Sequence, residues 1–175
     1  EWFKEHVESN PQFLAEKKKW DNRFSDKKQY ERYTNVLGKK QVGSFADFQN
    51  LKYNDIEGWL ALKRENATIS KIKNKDTYLP EYRQKLISTY YEFKDKGFEF
   101  TDHSLNRFLG QKTGKGKVLF DKDKLFEILN KDVNYLEGDR TIKFYEGISV
   151  IQNNDTKEVV SIVTRSKPKE GWKKI

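Results

Sequence analysis

The chain has 175 residues, 35% charged and 35% hydrophobic, with a net charge of +8. The absence of cysteine excludes disulfides and thiolate metal sites, and two histidines far apart in the chain argue against a histidine-rich metal site. No apolar run approaches the roughly 20 residues that span a bilayer, so neither a cofactor nor a membrane span is expected. The low apolar content is offset by 4 Trp, 9 Tyr and 12 Phe, whose large buried areas predict an aromatic-rich core. The positive charge makes nucleic acid the first candidate partner and an anionic membrane surface the second. The chain opens at Glu1 and contains no methionine, as expected of a fragment cut from a longer protein.

Asn10-Pro11 predicts a helix start, because proline lacks the amide hydrogen that would go unpaired there. Phe13, Leu14, Trp20, Phe24, Tyr30 and Tyr33 follow at loosely helical spacing in a polar segment ending near Leu37, with Gly38 as its stop. A helix this polar needs a partner surface. Lys17-Lys18-Lys19 reads as a solvated face, with nucleic-acid contact as the alternative. Ser44 caps a second piece carrying Phe45, Phe48 and Leu51, and Asn54 or Asp55 opens a third with Ile56, Trp59, Leu60 and Leu62. The polar stretch Lys71–Thr77 is the expected linker. Pro80 starts the best-patterned helix, in which Tyr82, Leu86, Tyr90 and Phe93 share a face and Gly97 takes a left-handed end.

FEFTDHSLNRFLG, Phe98–Gly110, is the chemically richest stretch. Thr101 or Asp102 can cap a short helix, and His103 and Arg107, four apart, then face the same way. Histidine titrates near neutral pH, so a histidine beside a fixed cation suits phosphate chemistry. The competing reading of His103 is a surface or helix-start residue. QKTGKGK, Gln111–Lys117, lacks the spacing of a phosphate-binding P-loop. It reads as a surface loop or as a basic flap over a phosphate backbone. Asp121 or Asp123 caps the next helix.

The last third is β-branched and alternating. Three strands are expected, over Thr141–Tyr145, Ile148–Ile151 and Glu158–Thr164, joined by turns at Glu146-Gly147 and Asn153–Thr156. Alternation puts Ile142 and Phe144 on one face and Lys143 and Tyr145 on the other. In the third strand it groups Val160, Ile162 and Thr164, with Val159, Ser161, Val163 and Arg165 opposite. The tail after Thr164 holds Arg165, Lys167, Lys169, Lys173 and Lys174 against Glu170, a net +4 out of the total +8. The expected fold class is α+β. A helical segment, 1–78, precedes a small domain, 79–175, of helices packed on a short antiparallel sheet. A histidine ahead of a sheet bearing Lys143, Tyr145, Thr164 and Arg165 has the parts for RNA cleavage without metal: a proton carrier, and cations to stabilise the phosphate. No second proton carrier stands out, and on periodicity alone an ordinary solvated sheet face is the favoured reading of Lys143, Tyr145 and Arg165.

HSLNRFLG, followed by DRTIKFYEGISVIQNNDTKEVVSIVTRSKPKEGWKKI, resembles the C-terminal nuclease-like domains of the barnase–EndoU–colicin–RelE group in the version carried by phage proteins. The shared pattern is a histidine on an early helix, a basic strand, and a strand ending in Thr-Arg after an Asn-Asp-Thr turn. RYTNVLG, SFADFQNLKYND and WLALKR resemble the region before this domain in minor head, or head morphogenesis, proteins of tailed phages infecting Gram-positive bacteria. The resemblance covers roughly Arg32 to Ile175. It implies a nuclease-like fold, with His103, Arg107, Lys143, Thr164 and Arg165 at the positions to test. It also implies a virion or host-cytoplasm location, with portal or capsid proteins as neighbours. The expected activity is binding of RNA or DNA through Arg107, Lys112, Lys115, Lys117, Tyr145, Lys167 and Lys169, with metal-independent ribonuclease chemistry at His103, Lys143, Thr164 and Arg165. Two rivals remain. One is a non-catalytic module docking to portal, capsid or packaged DNA through Trp2, Trp20 or Trp59 where these are exposed. The other is a ribonuclease toxin domain delivered by a larger protein.

Overall fold

The computed structural model describes residues 10–110 and 120–175. The chain is α+β and divides into two compact units, 1–70 and 71–175. Among the described residues it forms seven helices and one antiparallel sheet of five strands.

The first unit is helical: α1 (Pro11–Leu37), α2 (Lys39–Val42), α3 (Phe45–Asn54) and most of α4 (Ile56–Asn74). Asn10 caps α1 by accepting from the Gln12 and Phe13 amides, with Pro11 at the first helical position. Ser44 and Asp47 form a reciprocal capping box on α3, and the Asp55 carboxylate accepts from the Gly58 amide at the start of α4. The core is aromatic. Phe48 is fully buried and meets the edges of Tyr30, Tyr33 and Trp59 at centroid distances of 5.5, 5.4 and 5.2 Å. Tyr33 stacks on Trp59 at 5.8 Å, and Val42 and Leu62 close the cluster. Edge-to-face rings gain quadrupole attraction beyond the area they bury, which lets a chain of low apolar content hold a core. The first half of α1 lies outside this cluster, and Leu14, Trp20 and Phe24 are exposed.

α4 carries the chain out of the first unit. The polar stretch Lys71–Thr77, expected as a linker, is helical through Asn74, because its lysines are good helix formers and no glycine or proline interrupts them. In the second unit, α5 (Pro80–Asp95) buries Leu86, Thr89, Tyr90 and Phe93 along one stripe. The chain leaves α5 through Gly97, whose φ of +91° a side chain would resist. α6 (Asp102–Leu109) buries Ser104, Leu105 and Phe108, and α7 (Lys122–Leu129) buries Leu125, Ile128 and Leu129.

The sheet contains β1 (Tyr135–Glu137), β2 (Arg140–Tyr145), β3 (Ile148–Asn153), β4 (Val159–Thr164) and β5 (Lys173–Lys174), in the order β4-β3-β2-β1-β5. The expected three strands are its β2-β3-β4 portion. β2 and β3 turn at Glu146 and Gly147, both at positive φ, the geometry that suits a two-residue hairpin to the strand twist. Lys124 forms an ion pair with Glu146 at this turn. Register confirms that Ile142 and Phe144 lie opposite to Lys143 and Tyr145. Ile142 pairs with Ile151 and Phe144 with Ser149, whereas Lys143 pairs with Val150 and Tyr145 with Ile148.

Strict alternation fails in β4. Gln152 pairs with Val159 and Ile151 with Ser161, leaving Val160 as the extra residue of a bulge. The bulge turns Val159 to the face of Ile162, and both are buried. Beside it, Phe100 bridges to Val159 in parallel, the Thr101 amide donates to the Val159 carbonyl at 3.1 Å, and the Val159 amide donates to the Glu99 carbonyl at 2.8 Å. These bonds seat the start of α6 on the sheet.

Thr101, not Asp102, is the cap of α6. Its hydroxyl accepts from the Ser104 amide, and the Ser104 hydroxyl accepts in return from the Thr101 amide. Thr101→Ala is expected to cost about 1 kcal/mol, the usual value of an N-cap, and Thr101→Ser much less. Urea midpoints of the two variants check this.

Candidate nucleic-acid interface

The residues expected to act on a phosphate occupy separate places. His103 and Arg107 share the solvent side of α6, both exposed, while Leu105 and Phe108 on the same helix are buried. Asp102 accepts from the Tyr78 hydroxyl at 3.3 Å, and Tyr82 donates to Asn106 at 2.6 Å. Burial, followed by the Asp102 charge, holds the Tyr78 hydroxyl above the ordinary tyrosine range. Asp102 is thus tied to the segment that enters α5, by a hydrogen bond accepted from a tyrosine.

Lys143 and Tyr145 reach the segment after α7. Lys143 Nζ donates to the Leu129 carbonyl at 2.5 Å, and the Tyr145 hydroxyl donates to the Asp132 carbonyl at 2.6 Å. The last carbonyls of a helix lack intrahelical partners, and a lysine there satisfies one of them and meets the negative end of the helix dipole. Burial pushes the Lys143 ammonium below the usual lysine range, partly countered by the Asp132 carboxylate. Asn134 completes the attachment by accepting from the Phe144 amide at 2.8 Å and donating to the Phe144 carbonyl at 2.7 Å.

Thr164 is exposed at the end of β4, paired with Ile148, and so shares a face with Tyr145 and Lys143. Arg165 extends the ladder, its amide donating to the Gly147 carbonyl at 2.7 Å. Its guanidinium lies 5.5 Å over the Trp172 ring, and its Nε is buried without a hydrogen-bond partner among the described residues. Trp172 meets Tyr135 at 6.0 Å and Phe144 at 6.2 Å, and Tyr135 meets Phe144 at 6.1 Å. This three-ring cluster belongs to the sheet face opposite Lys143, since Tyr135 pairs with Ile142.

The lysine-rich tail is not an unstructured extension. Lys173 and Lys174 form the edge strand β5, pairing with Leu136 and Tyr135. Both are exposed, as are Lys167 and Lys169, with Lys169 3.9 Å from Glu137. Edge lysines also discourage strand-to-strand aggregation, but that role does not require an arginine stacked on tryptophan beside them. Tyr135, Phe144 and Trp172 were not among the site residues expected from the sequence. The available signal was one aromatic in the tail, Trp172, next to a paired lysine. Lys112, Lys115 and Lys117 lie outside the described residues, as does Trp2. Of the other tryptophans considered for docking, Trp59 is buried in the first unit and Trp20 is exposed.

Among the described residues no group of His, Cys, Asp or Glu could hold a metal ion, and no helix is long and apolar enough to cross a membrane. No protein-family model, curated protein or solved structure matches the chain.

Proposed function

We propose that the second unit is a nucleic-acid-binding module of a phage head protein, and that it holds strands without cutting them. The carrying observation is the Arg165–Trp172–Tyr135–Phe144 cluster, with Lys173 and Lys174 on the edge strand that follows Trp172 and exposed Lys167 and Lys169 in the segment before it. Aromatic and guanidinium planes offer stacking to any base, and lysines along the same edge follow the backbone charge. Single-stranded RNA or DNA suits this chemistry, because only unpaired bases expose their faces. A virion setting, with portal or capsid neighbours, and a barnase–EndoU–colicin–RelE-like form of the α+β unit both rest on the sequence resemblance. Helices preceding an antiparallel meander support that form.

Binding is favoured over cleavage by the sheet register. Transesterification needs a proton carrier and cations within hydrogen-bond reach of one phosphate. Lys143 caps α7 on one face, whereas Arg165 stacks on Trp172 on the other. Incubation of the protein with a mixed RNA and a matched single-stranded DNA in EDTA, with His103→Ala alongside, tests the reading. Salt-sensitive binding by both proteins without cleavage is expected. RNA cleavage that survives chelation and vanishes in His103→Ala overturns it and restores the ribonuclease reading.

A further inference from the structure

A cleft of about 430 Å³ opens in the second unit on the sheet face carrying Lys143, away from the Trp172 cluster. Phe98 forms an aromatic wall, Thr141 and Gln152 come from β2 and β3, and Thr156 and Lys157 come from the turn after β3. Glu99, Lys143 and Lys157 are the charged residues of its lining.

Both lysines are held where a lysine is costly. Lys157 has a φ of +65°, a left-handed conformation that costs an ordinary side chain about 1 kcal/mol and that glycine adopts freely. The turn does not leave it there by looseness. The Lys157 amide donates to the Asn153 carbonyl at 2.9 Å, and its carbonyl accepts from Gln152 Nε2 at 3.0 Å. Asn153 Oδ1 accepts from the Asp155 and Thr156 amides, and Thr156 Oγ1 accepts from the Glu158 amide. Lys143 sits in the middle of a sheet, half-buried, with its ammonium 6.0 Å from the Phe98 ring centre. Glycine at Lys157 would fold at least as well, whereas Lys143 also holds the Leu129 carbonyl at the end of α7. Residues kept at a cost and converging on one cleft mark a binding role.

We propose that this cleft binds a nucleotide phosphate, with Lys143 and Lys157 on the phosphoryl group, the hydroxyls and amide of Thr141, Thr156 and Gln152 on polar edges, and Phe98 against the base. Its volume lies within the range of small-ligand sites. The source of the phosphate is either a free mononucleotide or the phosphorylated end of a strand. The site does not depend on the Arg165–Trp172–Tyr135–Phe144 cluster, which lies on the opposite face of the sheet.

The test is titration of the full chain with AMP, followed by amide chemical shifts and calorimetry. Adenosine, inorganic phosphate, and one oligonucleotide with either a 5′-phosphate or a 5′-hydroxyl run in parallel. AMP is expected to shift the Phe98, Gln152 and Lys157 amides and to bind about tenfold more tightly than adenosine or phosphate alone. Lys157→Gly is expected to weaken AMP about tenfold through loss of a charge-assisted contact, while leaving the melting temperature unchanged or higher. Lys143→Met is expected to weaken AMP similarly, and Lys174→Ala, on the opposite face with Tyr135, to leave it unaltered. Preference for the 5′-phosphorylated strand, relieved by AMP, identifies a strand end. AMP binding with no such preference identifies a free nucleotide. AMP that shifts only residues near Trp172, or binds equally well to Lys157→Gly and Lys143→Met, or does not bind, overturns the proposal.

Discussion

Asp26→Ala is expected to destabilise the first unit by about 3 kcal/mol, near the lower end of the cost of breaking a buried ion pair. Asp26 is 1% exposed on an otherwise polar helix. It accepts from Lys52 Nζ at 2.7 Å and from the Tyr53 hydroxyl at 2.6 Å, and Lys52 also donates to Gln29 at 2.8 Å. These bonds clasp α1 to α3. Removing the carboxylate strands an ammonium whose side chain is only 25% exposed, and that residual solvation keeps the loss from being larger. Tyr53→Phe leaves the ion pair intact and should cost about 1 kcal/mol.

The clasp also has a pH signature. Burial alone would raise the Asp26 carboxyl, but hydrogen bonds from Lys52 and Tyr53, with the Lys52 charge, outweigh it and hold the group below its ordinary value of 3.8. A depressed carboxyl stabilises the fold fully above its unfolded value, and the benefit disappears as pH falls through the folded one. Tyr53 behaves in the opposite sense. Its hydrogen bond to Asp26, its burial and the Asp26 charge push it up to about 12 from 10.0, so its contribution holds below the ordinary value and is lost as pH rises toward the higher one. Hydrogen exchange of α1 and α3 amides should therefore show protection falling below about pH 4 in the wild type, with that acid limb missing in Asp26→Ala. Equal protection in the two proteins would refute the clasp.

Lys173→Ala/Lys174→Ala is expected to weaken single-strand binding about twentyfold at 0.1 M salt, since each lysine–phosphate contact releases about 0.7 counterion. The substitution is conservative for the fold, because both side chains are exposed and β5 pairs with β1 through its backbone. With Arg165, Lys167, Lys169, Lys173 and Lys174 all engaged, log affinity should fall with log salt at a slope of about −3.5, and the double variant should flatten it by about 1.4. Arg165→Gln should lower affinity while leaving much of the salt slope, because it also removes the cation from the Trp172 stack. Filter-binding or fluorescence anisotropy across salt concentrations reads all three. A wild-type response that is flat with salt, or a double variant that binds as tightly as the wild type, rules out this edge as the strand-binding surface.

The sequence by itself determined what nearest neighbours determine. Ser44 and Thr101 cap their helices because a hydroxyl lies three residues from an otherwise unpaired amide. Glu146-Gly147 turns because a two-residue connection between twisted strands favours positive φ. Strand alternation was enough to separate Lys143 from Phe144. Distances along the chain hid the rest. β1 and β5, at three and two residues, are too short to show a period and exist because each finds a partner strand. The bulge at Val160 exists because segment 99–101 docks beside Val159, a relation no local pattern records. Asp26 occupies a helix that reads as polar throughout, and only the approach of Lys52 and Tyr53 makes its burial affordable. His103 and Arg107 were correctly placed on one helix face, but register alone put Lys143 and Arg165 on opposite sides of the sheet. Local spacing sets the direction of a side chain within its own element. Which side chains meet depends on how the elements pack, and in this chain packing decided the candidate site.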